Sequence, residues 1–246
     1  MKRKREVLLS ASGVISAGGG GPAREETQVG VVATFDEPPT GRIRVPVLTE
    51  PQAEGAAAFR VLRHRLQALP DSRVFAVTSP GREEGKTTCA LNLALAFAEH
   101  GLGNVLLVEA NLQQPVLAQG LGFLPPRCFA EQMQEALGRP SYQWSVVATY
   151  LFNLHVLAVN PNVTSPTQLK GAALTSAMSA LRGTNYSRII LDCPSVFGSA
   201  DVSIIESCVD GLLMVGRAGM TRSSELKKAA EYLQPVTLFG SVLMGG

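Results

Sequence analysis

Short runs that are apolar along their whole length alternate with stretches of helical periodicity from residue 54 onward. The apolar runs fall at 74–77, 105–108, 154–159, 188–193, 211–215 and 238–244, and the helical patterns at 54–69, 88–100, 130–137, 167–181, 200–208 and 223–233. A strand without a polar side has to be covered on both faces, and strands separated by helices pair in parallel through crossovers. The alternation therefore predicts a doubly wound α/β fold, a mainly parallel sheet with helices on both faces. In such a sheet ligands bind beyond the carboxyl ends of the strands.

The strand at 74–77 runs into SPGREEGKT at 79–87, and the helical pattern at 88–100 follows directly. A bound triphosphate needs backbone N–H groups, the positive end of a helix, a long cation and a hydroxyl for magnesium. Gly85, the first turn of the helix, Lys86 and Thr87 can supply these in that order, with Gly81 and Thr88 beside them. The strict phosphate-loop pattern wants glycine at the position of Pro80, and here Gly81 stands one place later. The order strand, loop, helix carries the reading, against the alternative of a βα turn with a solvated lysine.

Magnesium-dependent phosphoryl transfer also needs carboxylates near the phosphates. Two strand ends offer them. RIILD at 188–192 closes on Asp192, the form of a metal-holding Walker B strand, and VLLVE at 105–109 closes on Glu109, with Asn111 two residues on. Glu109 can reach a metal-bound water; Asn111 can hydrogen-bond but cannot take a proton. The competing roles are an N-cap or turn residue for Asp192 and loop caps for Glu109 and Asn111.

The stretch 1–50 is rich in Gly, Pro and charge and is expected to be a flexible arm ahead of a domain at 51–246. Within it, 29–35 is apolar enough to pair as an edge strand or bind a partner. The helix at 54–69 carries Arg60, Arg63 and Arg65 on one face. A net charge of +2 is too mild to argue for nucleic acid. Cysteines 89, 128, 193 and 208 have no metal-ligand spacing and read as buried thiols, and His64, His100 and His155 read as structural. No apolar stretch reaches the roughly 20 residues that span a bilayer. The basic run 2–5 followed by apolar residues at 7–17 faintly resembles a signal peptide, but Glu6, the serines and the glycines at 18–21 argue against it, so a cytoplasmic protein without direct membrane insertion is expected.

AFRVLR at 58–63, FAVTSPG at 75–81, GKTT at 85–88, VLLVEANLQQP at 105–115, IILDCP at 189–194 and GRAGMTRSSEL at 216–226 together resemble the cytosolic domain of bacterial tyrosine kinases. These BY-kinases are P-loop ATPases related to MinD and ParA and regulate chain length in capsule and exopolysaccharide synthesis. The resemblance implies ATP and Mg2+ as cofactors, Lys86 and Thr87 as phosphate and magnesium ligands, Asp192 as the Walker B acid, and Arg217 near the nucleotide base. It further implies a membrane-embedded polysaccharide co-polymerase as partner, recruitment to the inner face of the membrane, and homo-oligomers. Glu109 and Asn111 stand where the family has Asp-x-Asp, so kinase activity is expected to be weak or lost. Glu83 replaces a loop glycine and, with Glu84, is expected to repel phosphates. Ala57 replaces the glutamate of the family's assembly motif, of which Arg60 and Arg63 remain. The four tyrosines at 142, 150, 186 and 232 are scattered, without the usual tyrosine cluster. A MinD/ParA-type positioning ATPase and a nucleotide-free scaffold are the alternatives, the first lacking its signature lysine where this chain has Gly81.

Overall fold

A computed structural model describes residues 27–35, 43–139, 141–149, 153–162 and 171–245. The basic run 2–5, the segments 7–17 and 18–22, residues 167–170 of the expected helix, and Tyr150 lie outside the described residues. In chain order the elements are β1 (Val29–Phe35), α1 (Pro46–Thr49), α2 (Glu54–Gln67), β2 (Val74–Thr78), α3 (Lys86–Glu99), β3 (Val105–Glu109), α4 (Leu117–Leu121), α5 (Phe129–Ala136), β4 (Trp144–Thr149), β5 (Leu154–Leu157), α6 (Gly171–Arg182), β6 (Arg188–Asp192), α7 (Asp201–Glu206), β7 (Gly211–Arg217), α8 (Ser223–Tyr232) and β8 (Leu238–Met244).

The strands form one sheet in the order β1-β4-β5-β3-β6-β2-β7-β8. Every adjacent pair is parallel except β4 with β5. Six strands therefore run one way, and β4 with β1 at one margin runs the other. Alternate residues of each central strand enter different cores. Val74 and Ala76 join Leu106, Ile189 and Met214 beneath α5 to α8, whereas Phe75 and Val77 join Leu107, Ile190 and Val215 beneath α2 and α3. This two-sided burial is why the strands read as unbroken apolar runs.

Helix α3 is apolar all round because it is covered twice, by the sheet on one side and by α1 and α2 on the other. Its buried Asn92 donates to the carbonyls of Arg44 and Thr88, both at 2.8 Å, and so fastens the segment leading into α1. Within the stretch expected as an arm, β1 is thus an edge strand and α1 packs against α3. Gly120 is needed at a close approach, because a Cβ there would lie 2.1 Å from Ile43 Cδ1.

Arg73 closes the opposite end of the sheet. Its guanidinium donates to the carbonyls of Tyr186 (2.9 Å), Arg182 (2.8 Å) and Thr184, which satisfies the open end of α6. Buried His155 meets the Tyr186 hydroxyl through Nδ1 at 2.7 Å, a structural contact remote from the phosphate loop. All four cysteines are buried and none forms a disulfide. Among the described residues no helix is long and apolar enough to cross a membrane.

Candidate functional site

Parallel strands bring the carboxyl ends of β2, β3, β6 and β7 to the same margin of the sheet, and the loop after β2 turns there into α3. The loop borders an open groove of about 1930 Å³, lined among others by Lys86, Thr87, Thr88, Asn111 and Arg217. Gly85 is the N-cap of α3 with φ of 94°, a left-handed conformation that glycine adopts without strain. A side chain there would also meet Met244, whose Cγ lies 3.2 Å from the Cβ position.

Within the loop the polar groups are engaged with one another. The Lys86 ammonium donates to the Gly81 carbonyl at 3.2 Å and the Ser79 hydroxyl donates to the same oxygen at 2.6 Å. Burial lowers the Lys86 pKa, and the nearby Asp192 and Glu84 carboxylates oppose that shift. The two loop acids behave differently from each other. Glu83 is exposed and holds φ of 59°, a left-handed conformation in a non-glycine residue. Glu84 is buried, and instead of facing solvent its carboxylate accepts from the Gly81 N–H at 2.6 Å and the Thr221 hydroxyl at 2.5 Å.

Asp192, at the end of β6, lies 1% exposed and accepts the Thr87 hydroxyl on Oδ2 at 2.7 Å. Its second oxygen, Oδ1, is buried and has no hydrogen-bond partner. Burial pushes its carboxyl up to about 7, while the Thr87 hydrogen bond and the Lys86 charge pull the other way. A buried carboxylate oxygen without a partner is costly and suits a cation. Among the described residues no three His, Cys, Asp or Glu side chains gather as a metal cage. Magnesium fits such a sparse set, because it keeps waters and takes one or two protein ligands together with phosphate oxygens.

Glu109 is opposite Asp192 in the β3–β6 register and is fully buried. Its Oε1 accepts the Val116 and Leu117 N–H groups at 2.5 and 2.7 Å, and Oε2 accepts the Val159 N–H at 2.8 Å. Burial raises its carboxyl to about 7 against the pull of these three bonds. The side chain ties together the segments after β3 and β5 and has both oxygens committed, the loop-cap arrangement. Asn111 instead faces the groove, and Gln113 donates to Asp201 at 3.3 Å. Arg217, at the end of β7, donates from its guanidinium to the Glu83 carbonyl at 3.2 Å. Of the residues singled out in the sequence, Gly85, Lys86, Thr87, Thr88, Asn111 and Arg217 line this groove, while Gly81 and Asp192 are hydrogen-bonded to Lys86 and Thr87, respectively. The sequence reading missed the contact of Thr221 with Glu84: Thr221 lies within the motif at 216–226, but its partner is 137 residues away.

No family model matches the chain. Among curated proteins it is similar to the tyrosine-protein kinase YwqD of Bacillus subtilis, 29% identical over 82% of this chain and 85% of that one. It is also similar to the tyrosine-protein kinase CpsD of Streptococcus agalactiae, 26% identical over 72% and 76%. The succinoglycan biosynthesis transport protein ExoP of Rhizobium meliloti is 24% identical over 87% of this chain, which covers 27% of that longer protein. Among solved structures, the chimerical protein CapA2B2 superposes with a TM-score of 0.70 at 23% identity over 82% of this chain and 90% of that one. The kinase domain of the Escherichia coli tyrosine kinase ETK gives 0.68 at 20% over 84% and 81%. The septum site-determining protein MinD from Pyrococcus horikoshii, complexed with Mg-ADP, gives 0.58 at 20% over 70% and 69%. At these identities the solved structures establish the shared fold.

Proposed function

We propose that this chain, whose homologues are bacterial tyrosine kinases and whose fold is that of their kinase domains, binds ATP with magnesium and acts in capsule or exopolysaccharide synthesis with weak or lost tyrosine kinase activity. The observation that carries the nucleotide reading is the buried, unpartnered Oδ1 of Asp192 beside the Thr87 hydroxyl and the Lys86 ammonium. Thr87 and Asp192 would hold the ion, directly or through water, and Lys86 the phosphates. When bound, magnesium supplies charge neutralisation at the β- and γ-phosphate oxygens. The N–H groups at the start of α3 would orient the phosphates, and Arg217, at the end of β7, would lie near the nucleotide base. The Mg-ADP complex of the MinD fold relative supports this ligand class.

Weak phosphotransfer follows from the acceptor side. The resemblance implies an acid where this chain has Asn111, and an amide cannot take the proton of a tyrosine hydroxyl. Glu109 supplies no substitute, since its two oxygens are occupied by three backbone N–H groups. The chain would then act through nucleotide-dependent association with a membrane-embedded polysaccharide co-polymerase at the cytoplasmic face, a reading supported by its similarity to part of ExoP. Homo-oligomers held through α2 are not part of this proposal. Arg60 is paired with Glu99 of its own subunit at 2.7 Å, and Ala57 stands at the glutamate position. The test is incubation with labelled ATP, magnesium and a tyrosine substrate. Little transfer is expected, with ATP bound all the same; rapid tyrosine phosphorylation would overturn the weak-kinase reading.

A further inference from the structure

Glu83 and Glu84 are neighbours in sequence with different fates, and the buried one is unexplained by phosphate binding. A carboxylate adjacent to a phosphate site should be turned to solvent, where water screens its repulsion. Glu84 is instead 4% exposed, with each oxygen taken by a different element: Oε2 by the Gly81 N–H of the loop and Oε1 by the Thr221 hydroxyl of the β7–α8 turn. The contacts continue on both sides. Thr221 Oγ1 accepts the Arg217 N–H at 2.7 Å, and the Gly81 carbonyl accepts the Lys86 ammonium at 3.2 Å. An unbroken hydrogen-bonded chain thus leads from Lys86 through Gly81, Glu84 and Thr221 to the backbone of Arg217. A second link runs parallel to it, from the Arg217 guanidinium to the Glu83 carbonyl.

We propose that Glu84 and Thr221 form a latch that positions the phosphate loop, fixing Gly81, and through it the Lys86 ammonium, from the β7–α8 turn. Glu84 acts as a positioning residue: both of its oxygens are taken up by Gly81 and Thr221. Its contribution is to choose one loop conformation from the many open to a segment with Gly81 and Gly85 at its ends, so that less ordering remains when a nucleotide binds. Hydrogen bonds to a charged carboxylate are strong enough for this. The proposal rests on the nucleotide-binding reading for its consequence, though not for its geometry.

The test uses the full chain with Glu84→Ala, Glu84→Gln, Thr221→Val and the double variant Glu84→Ala/Thr221→Val. Calorimetry gives the affinity for ATP with magnesium, and nucleotide-free hydrogen exchange gives the protection of the Gly81 amide. Glu84→Ala and Thr221→Val are each expected to weaken binding about tenfold, and the double variant no further, because both cut the same latch. Glu84→Gln is expected to stay within about threefold, since its amide oxygen can accept from Gly81 while its N–H₂ donates to Thr221. Gly81 protection should vanish in Glu84→Ala and fall in Thr221→Val. Unchanged affinities alongside a lowered melting temperature would overturn the latch and leave a packing role. If the native chain binds no nucleotide, the underlying reading fails; equal Gly81 protection in the native chain and Thr221→Val would then overturn the latch itself.

Discussion

Replacing Glu83 separates two penalties that this loop carries, one in the backbone and one in charge. Its φ of 59° places a non-glycine residue in the left-handed region, shared among the described residues only with Asp71. That conformation costs an L-residue about 1–2 kcal/mol. Glycine would remove the cost but lose about 0.5–1 kcal/mol through the greater freedom of the unfolded chain. Glu83→Gly should therefore stabilise the fold by about 0.5–1 kcal/mol, a rise of about 1–4 °C in melting temperature for a chain of this size. Glu83→Ala keeps the strained backbone and should give no such rise. Both variants remove a solvent-exposed carboxylate beside the phosphates, so both should bind ATP with magnesium about two- to fivefold more tightly at low salt, with the gain shrinking at high salt. Thermal unfolding and calorimetry on the three proteins read both effects. Equal melting temperatures for Glu83→Gly and Glu83→Ala would refute the strain argument, and a salt-independent affinity gain would refute the charge argument.

Four further outcomes concern residues away from the loop crown. Arg73→Ala strips three carbonyls at the end of α6 of their donor and should destabilise the fold by about 2–3 kcal/mol in denaturant unfolding, with nucleotide affinity unchanged. His155 has its pKa lowered to about 4 by burial. The unfolded chain therefore binds a proton that the folded one does not between about pH 6.5 and 4, so stability present above that window is lost as pH falls through it, by up to about 3 kcal/mol. His155→Gln should flatten the pH dependence of denaturant unfolding over that window. Glu109→Asp should lower stability by about 1–3 kcal/mol, because a carboxylate one methylene shorter cannot reach Val116, Leu117 and Val159 together, whereas Asn111→Asp alone should raise tyrosine phosphorylation in the labelled-ATP assay.

The parts of the site that were legible in the sequence are those whose residue type and local neighbours do the work together. Lys86 and Thr87 are read from a glycine-containing loop between an apolar strand and a helix, and Asp192 from an acid closing an apolar strand. Thr221 was illegible because its link to Glu84 joins positions 137 apart through a fold that local patterns do not specify. Glu109 shows a different limit: an acid ending a buried strand looks the same as metal ligand or loop anchor, and its partners are backbone N–H groups, which leave no mark on residue type. In the fold, the central strands were legible because both faces are buried. β4 was missed because it lies near the sheet margin, where Ser145, Ala148 and Thr149 are half-buried and break the apolar run. α1 and α4 are too short, at 4 and 5 residues, to show a helical period.

The central claim is that Lys86, Thr87 and Asp192 form a magnesium-dependent nucleotide site, and calorimetric titration of the native chain with ATP tests it most directly. Saturable one-to-one binding is predicted with magnesium present, weakened about tenfold or more by chelation and by either Lys86→Ala or Asp192→Asn. No binding with magnesium, or binding that both substitutions leave unchanged, would contradict it.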